Sequence, residues 1–305
     1  MARYVMRRLV FGLLALFAVS LITFMATRLS GDVTYLLVGL DASQEEIAAV
    51  RVQYGLDKSL PMQYLAYLEH AVRGDFGDSI KYGVPALDLV MSRLPSTIML
   101  SFTGFSLALL IGVPLGILAA RRRGSATDLG ASVFALVGQA MPGFWVAIML
   151  QLLFAVKLGW LPTGGSGSAA HLILPAIAMS WFSIAAFMRL TRSSMLEVLE
   201  SDYVKLARVK GNPEQVVIVK HAFRNALIPL VTFAGLNLGA LLGGAVVIES
   251  IFAWPGVGQL MISAIGARDY PTVQAGVLVT ATMFITINLG VDLLYGVLDP
   301  RIRNE

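Results

Sequence analysis

Thr97–Ala120 reads TIMLSFTGFSLALLIGVPLGILAA and is followed at once by Arg121-Arg122-Arg123. No residue of that stretch is charged. A helix crossing about 30 Å of hydrocarbon needs roughly 20 predominantly apolar residues. Inside a bilayer only a helix or a closed barrel satisfies every backbone N–H and C=O. The stretch therefore predicts a membrane-spanning helix, stopped by an arginine cluster that stays in water. Working outward, five further stretches meet the same test: Leu9 to Leu29, Leu129 to Val156, Leu172 to Leu190, Leu230 to Phe252 and Val273 to Leu298. An all-α membrane protein with six transmembrane helices is expected.

Composition agrees with this expectation. Over 305 residues, 57% are hydrophobic and only 14% charged, roughly half the charge of an ordinary soluble domain. The net charge of +4 does not point to nucleic acid, because the basic residues sit beside apolar runs, where membrane orientation accounts for them. With no cysteine, disulfides, thiolate metal sites and cysteine nucleophiles are all excluded. The first apolar run is too long for a cleavable signal sequence, and no small-x-small site follows it. Pro114 and Pro142-Gly143 fall inside expected spans and predict kinks there.

Charge asymmetry sets the expected orientation. Arg3, Arg7 and Arg8, then Arg121 to Arg123, then Lys205, Arg208, Lys210, Lys220 and Arg224, and finally Arg301 and Arg303 all fall on one side if six spans alternate. The opposite short connections hold only Lys157 and Arg268. By the positive-inside rule both termini, 1–8 and 299–305, face the cytoplasm.

Two extramembrane segments are large enough to fold. Residues 30–94, between the first span (9–29) and the rest of the membrane region (95–298), form an external helical segment. Ser43 with Glu46 reads as a capping box opening a helix with Ile47, Val50 and Tyr54 on one side. Pro61 starts another, striped by Tyr64, Leu65, Leu68 and Val72. A packed cap over the bundle and a small binding domain are both consistent with this pattern. The second segment, 191–228, is cytoplasmic. Met195, Leu196, Val198, Leu199, Val204 and Leu206 alternate with charges, Gly211-Asn212-Pro213 breaks the pattern, and Glu214 to Ala226 resumes it with Val217, His221 and Arg224 on one face. A helix, a hard turn and a helix suit either an amphipathic connection on the membrane surface or a docking element.

Asp202-Tyr203, Ala207, Lys210-Gly211 and, nine residues on, His221-Ala222-Phe223-Arg224-Asn225-Ala226 resemble the cytoplasmic EAA loop of ABC importer permeases, in the variant of the peptide/nickel family. Where the general loop has Glu-Ala-Ala, this chain has Lys205-Leu206-Ala207. Gly55-Leu56-Asp57-Lys58, Gly74-Asp75-Phe76-Gly77, Ile173-Leu174-Pro175, Thr191-Arg192-Ser193-Ser194-Met195, Glu249 to Gly258, Arg268-Asp269-Tyr270-Pro271 and Asp299-Pro300-Arg301-Ile302-Arg303 resemble further signatures in family order. At Gly31-Asp32-Val33 the family commonly has proline third.

The resemblance implies a type I ABC importer permease in a bacterial inner membrane, one half of a pore for dipeptides, oligopeptides, glutathione or nickel chelates. Its implied partners are a homologous second permease subunit, two cytoplasmic ATPase subunits carrying ATP-Mg, and an external or periplasmic substrate-binding protein. Asp202, Tyr203, Ala207, Lys210, Gly211, His221, Arg224 and Asn225 are the residues it implies for ATPase coupling. From the residues alone, no Gly-x-x-x-x-Gly-Lys-Ser/Thr loop exists in this chain to cradle a nucleotide, so no cofactor is expected here and energy must come from a partner.

Gly235, Gly239 and Gly243 recur every fourth residue in the fifth span, which suits close helix packing or room beside a pathway. Asp292 is an intramembrane acid and a functional candidate, or a structural partner for a nearby arginine. His70, His171 and His221 have no ligand-like spacing, so no metal site is expected. An ion-coupled secondary transporter is the alternative function. Few mid-membrane acids and no visible repeat between the halves speak against it.

Overall fold

The computed structural model describes residues 2–29, 43–53 and 56–298. Gly31-Asp32-Val33, Tyr54, Gly55 and the Asp299–Arg303 signature lie outside the described residues, as do the side chains of Val50 and Asp292. Every named element is helical: α1 (Ala2–Leu29), α2 (Gln44–Gln53), α3 (Leu60–Val72), α4 (Ala86–Arg121), α5 (Ala126–Ala140), α6 (Gly143–Leu150) with a π-helical extension Gln151–Lys157, α7 (Ala169–Leu199), α8 (Asp202–Val209), α9 (Glu214–Val216), a π-helical turn Val217–Phe223, α10 (Arg224–Ile251), α11 (Val257–Gly266) and α12 (Tyr270–Leu298).

Among the described residues, five helices are long and apolar enough to cross a bilayer: Val5–Leu29, Ala86–Arg121, Ala169–Leu199, Glu214–Ile251 and Tyr270–Val291. The span expected at Leu129 to Val156 is not one kinked rod. It is the pair α5 and α6, bent by 102° at Met141-Pro142, which makes a sixth crossing only if the pair is one broken span. The reason is local. Met141 precedes a proline and takes an extended conformation (φ −80°, ψ 125°), because proline's ring disfavours α geometry in the residue before it. At Pro114, by contrast, α4 runs on without a break.

The chain divides into two compact units. One comprises Ser96–Pro255. Its hub is α7, against which α5, α6 and α10 pack. Glycine permits the closest approaches. A Cβ on Gly112 would sit 2.7 Å from the Ile184 carbonyl oxygen, one on Gly116 2.5 Å from Thr191 Cβ, and one on Gly138 2.7 Å from Ala185 Cβ. Backbone-to-backbone contact through small residues is how helices associate where lipid removes the hydrophobic drive between them.

The other unit comprises Met1–Pro95 and Gly256–Glu305. Within it α1 lies against α12, and a Cβ on Gly12 would be 2.9 Å from Ile285 Cγ2. The expected capping box is present: Ser43 N donates to Glu46 Oε2 (2.8 Å) and Glu46 N to Ser43 Oγ (3.2 Å). Pro61 sits in the first turn of α3. The expected stripe of α3 is only partly the packed face. Tyr64 is buried against α1, sharing a 2.8 Å hydrogen bond with Ser20, and Tyr67 stacks on Phe24. Leu65 and Val72 are exposed. The inward line thus runs through Tyr64 and Tyr67, a three-residue step that a longer stripe through Leu65 misses. Burial pushes the Tyr67 phenol up to about 12, since an apolar setting disfavours the phenolate.

Between α11 and α12, Asp269 is fully buried and accepts from Ile80 N (3.0 Å), Thr272 Oγ1 (2.8 Å) and Ser79 Oγ. A buried carboxylate needs such a set of donors. Its effect is to pin the 78–85 turn to the α11–α12 corner, where Arg268 takes φ +55°.

Candidate functional site

Ser201 starts α8 just after α7 ends, and its N-terminal turn carries Asp202, whose carboxylate pairs with Lys205 Nζ at 3.1 Å on the open surface. Val204 and Ala207 turn inward, while Tyr203, Leu206 and Val209 are exposed. Of the apolar residues that alternate with charge here, Val204 is therefore buried and Leu206 is not.

The turn after α8 is a Schellman motif. Gly211 N donates to Arg208 O (2.9 Å) and Asn212 N to Ala207 O (3.4 Å), with Asn212 Nδ2 adding a 2.9 Å bond to the same carbonyl. This arrangement requires a left-handed residue at its centre. Gly211 has φ +79°, a conformation that any Cβ penalises. Lys210 closes the helix before it, and Pro213 opens the next. Arg208 then clamps Glu214 through two bonds, 3.2 and 2.9 Å, from one side of the turn to the other.

The second arm differs from expectation in one respect. It does not end near Ala226 but runs from Glu214 straight to Ile251 as one 38-residue helix containing the fifth span. The π-helical turn also shifts its register. With bonds to the fifth residue instead of the fourth, Val217 and Ala222 come onto one buried face with Ile218 and Ala226. His221 is left half-buried and Arg224 and Asn225 exposed, Asn225 donating to His221 O at 3.0 Å. Val217, His221 and Arg224 therefore do not share a face.

The hairpin is seated on Ala120 of α4 and Met195 of α7, with Val204, Ala207, Val217, Ile218, Ala222 and Ala226 between them. Beside that seat lies an ion pair the sequence reading passed over. Asp128 is almost fully buried, and Arg192 Nη2 donates to its Oδ2 at 3.0 Å, with Gly124 N at 3.0 Å completing the site. Ser125, three residues earlier, caps α5. That Ser-x-x-Asp spacing is the signal by which Asp128 was legible.

The three glycines of the fifth span part company. Gly235 and Gly239 are buried, while a Cβ at Gly243 or its neighbour Gly244 would meet nothing within 4 Å. Near the buried pair, Asn237 Nδ2 bonds Ser183 Oγ of α7 at 3.0 Å. At the far end of α10, Glu249 is fully buried and accepts from Thr97 Oγ1 at 2.6 Å, and Trp254 Nε1 donates to Ser96 O at 3.0 Å. In the sequence Glu249 stands out only as the first residue of the Glu249–Gly258 stretch. Among the described residues no cluster of His, Asp and Glu is placed to hold a metal ion.

The helical hairpin, braced at its glycine turn, is rooted in three membrane-length helices, α4, α7 and α10. Residues 112–304 match the family described as the binding-protein-dependent transport system inner membrane component, and residues 1–101 match that family's N-terminal region. The chain is 41% identical to the dipeptide transport system permease protein DppB of Alkalihalophilus pseudofirmus, over 99% of this chain and 100% of that one. It is 38% identical to the oligopeptide transport system permease protein AppB of Bacillus subtilis, and 41% identical to the glutathione transport system permease protein GsiC of Salmonella choleraesuis, each alignment covering 99% of this chain and 100% and 99% of the relative. Among solved structures, the inward-facing MetNI methionine ABC transporter superposes with a TM-score of 0.59 at 18% identity, over 69% of this chain and 96% of that one. The chain belongs to the family of binding-protein-dependent transport permeases, the membrane subunits of ABC importers.

Proposed function

We propose that this permease forms half of a translocation pathway for short peptides or a related small solute, glutathione and nickel chelates included, across a bacterial inner membrane. A homologous permease supplies the other half. Two cytoplasmic ATPase subunits bind ATP-Mg, and an external substrate-binding protein delivers the solute. The observation that carries this reading is the exposed surface of the hairpin: Tyr203, Leu206 and Val209 stand exposed on the short helix that begins at Asp202 and is closed by Lys210, and Arg224 is exposed on the second arm, the two arms being joined by the glycine turn and the Arg208–Glu214 brace. Exposed apolar side chains rimmed by charge mark a protein interface. A rigid element seated at one end on the spans and at the other in an ATPase cleft is biased by both sites, as coupling requires.

The names of the relatives support peptides as the solute class. The open stretch at Gly243-Gly244 supports α10 as a wall of the pathway, offering space and no polar pocket, so that selectivity resides in the binding protein. The charge asymmetry supports cytoplasmic termini. An ion-coupled carrier would instead work without any ATPase. Reconstitution of the permease pair with its ATPases in liposomes decides between them: ATP hydrolysis should rise when the peptide-loaded binding protein is added, and uptake that proceeds without ATPase subunits would overturn the proposal.

A further inference from the structure

The apolar arc of α3 is wider than the face the chain covers. At helical spacing Tyr64, Tyr67 and Ala71 share one face, Pro61, Leu65 and Val72 lie on one flank of it, and Gln63 and His70 lie on the other. The first set meets α1. Tyr64 packs on Phe17 and Phe24 with ring centroids 5.9 and 5.3 Å apart, Tyr67 stacks on Phe24 at 5.6 Å, and Ala71 lines a groove shared with Phe17 and Ser20. The apolar flank has no such cover: Leu65 is 65% exposed, Val72 88%, and Met62 on the back of the helix 61%. Between Lys58 and Glu69 no residue is charged. Charge is confined to the ends, with Asp57 and Lys58 before the helix and the exposed pairs Glu69–Arg73 and His70–Asp75 at its close.

The level at which α3 crosses α1 decides what covers the flank. Its contacts fall inside the membrane-length helix Val5–Leu29. Phe24 lies about 8 Å of helix below Leu29, and Ser20, which shares a hydrogen bond with the Tyr64 hydroxyl, lies about 14 Å below it. A helix resting on the membrane surface buries its apolar side about 5–10 Å into the boundary between headgroups and acyl chains, which is the level of Phe24. There α1 itself leaves Ile22 68% exposed as a lipid-facing residue of the span, so the open flank of α3 continues a surface that hydrocarbon already meets. The same flank in water would be an apolar patch with nothing to offset its exposure.

We infer that α3 is a membrane-surface helix, half sunk in the leaflet at the Leu29 end of α1, with acyl chains covering Met62, Leu65 and Val72. Gln63 and His70 face the headgroups and water. This part of the segment 30–94 is therefore a lipid-binding strut and not an aqueous cap, whichever solute crosses and whichever way the chain is oriented.

Spin labelling of the full importer complex in liposomes tests it. The chain has no cysteine, so a nitroxide on a single introduced thiol reports one position. Oxygen concentrates in hydrocarbon and chromium oxalate stays in water, and collision of the label with each is measured. Met62→Cys and Leu65→Cys should match Ile22→Cys, with frequent oxygen collisions and loss of those with chromium oxalate. Asp57→Cys and Arg73→Cys should keep the chromium oxalate collisions. All five side chains are exposed, so the label displaces no core contact. Chromium oxalate collisions at Met62 and Leu65 as frequent as at Asp57 would put α3 in water and overturn the inference. Loss of both kinds of collision there would overturn it as well, because a second permease or the binding protein, and not lipid, would then cover the flank.

Discussion

Thr97 donates its hydroxyl to Glu249 Oε1 at 2.6 Å in a place closed to solvent, tying the start of the second span to the end of the fifth. A carboxyl group at that depth is tolerated only where donors meet it. Thr97→Val preserves the shape of the side chain and removes the donor. Leaving a buried acceptor short of a partner costs about 1–3 kcal/mol. Thermal melting of the detergent-purified complex should fall for Thr97→Val and stay near wild type for Thr97→Ser. An unshifted melting temperature in the valine variant would mean that the bond contributes nothing.

Gly116 and Gly243 both sit on span helices, yet substitution should separate them. A methyl group on Gly116 would overlap Thr191 and the Met188 carbonyl oxygen, at 2.5 and 2.6 Å, whereas Gly243 has open space. Overpacking a close helix contact costs typically ~1–3 kcal/mol. Gly116→Ala should lower the yield of assembled complex measured by size-exclusion chromatography, and Gly243→Ala should not. Equal yields would remove the argument that α4 and α7 meet through glycine.

That contrast shows what was legible in the sequence. The span helices were, because hydrocarbon leaves the backbone no other choice over 20 apolar residues. The turn at Gly211 was legible too, since Gly followed by Pro two residues later is a local signal. The close-packing glycines were not. A small residue every fourth position is visible in α10, but which stripe meets a neighbour depends on the partner helix, and Gly112 and Gly116 of α4 do so against α7. The π-helical turn at Val217–Phe223 was equally hidden, because one extra residue in a turn changes no composition. It moved His221 off the face assigned to it. Glu249 and Asp128 look like charges in the wrong place until Thr97 and Arg192, distant in sequence, are brought to them.

Asp75 accepts from Gly77 N (3.0 Å) and from His70 Nδ1 (3.0 Å), and the Gly77 amide, then the His70 side chain, hold its carboxyl below the ordinary aspartate value. A depressed folded-state value means that the stabilisation is present above the unfolded pKa and is lost as pH falls through the folded one. Hydrogen exchange at the Gly77 amide, corrected for its intrinsic rate, should stay protected at pH 5 and above and lose protection only once pH falls below the ordinary aspartate value of about 3.9. In Asp75→Asn the pH dependence should vanish. Protection that persists unchanged in acid would rule out the carboxylate as its source.

Cysteine-free chains allow sidedness to be read from single introduced thiols. Ser43, on the exposed capping box before α2, should react as Ser43→Cys with an impermeant reagent added outside intact cells, and Ser201→Cys should react only after the membrane is opened. The reverse pattern would invert the orientation inferred from the arginines.

Gly211 gives the sharpest test of coupling, because its requirement is conformational and not chemical. At φ +79° a β-branched side chain costs on the order of 1–3 kcal/mol, while asparagine tolerates the left-handed region far better. The strain falls on the turn that joins α8 to the helix of the fifth span, and the spans themselves keep their burial. Switching a two-state equilibrium from 1:99 to 99:1 needs roughly 5.5 kcal/mol of differential binding, so losing ~2 kcal/mol at the element that transmits it weakens the switch severely. Gly211→Val should insert and assemble with the second permease, yet lose the rise in ATP hydrolysis that the loaded binding protein produces in liposomes. Gly211→Asn should keep most of it. Arg224→Glu, which alters the exposed rim without straining the backbone, should weaken ATPase association instead. If Gly211→Val and Arg224→Glu are both stimulated like the wild type, the hairpin is a solvated connection and the ATPases engage the permease elsewhere.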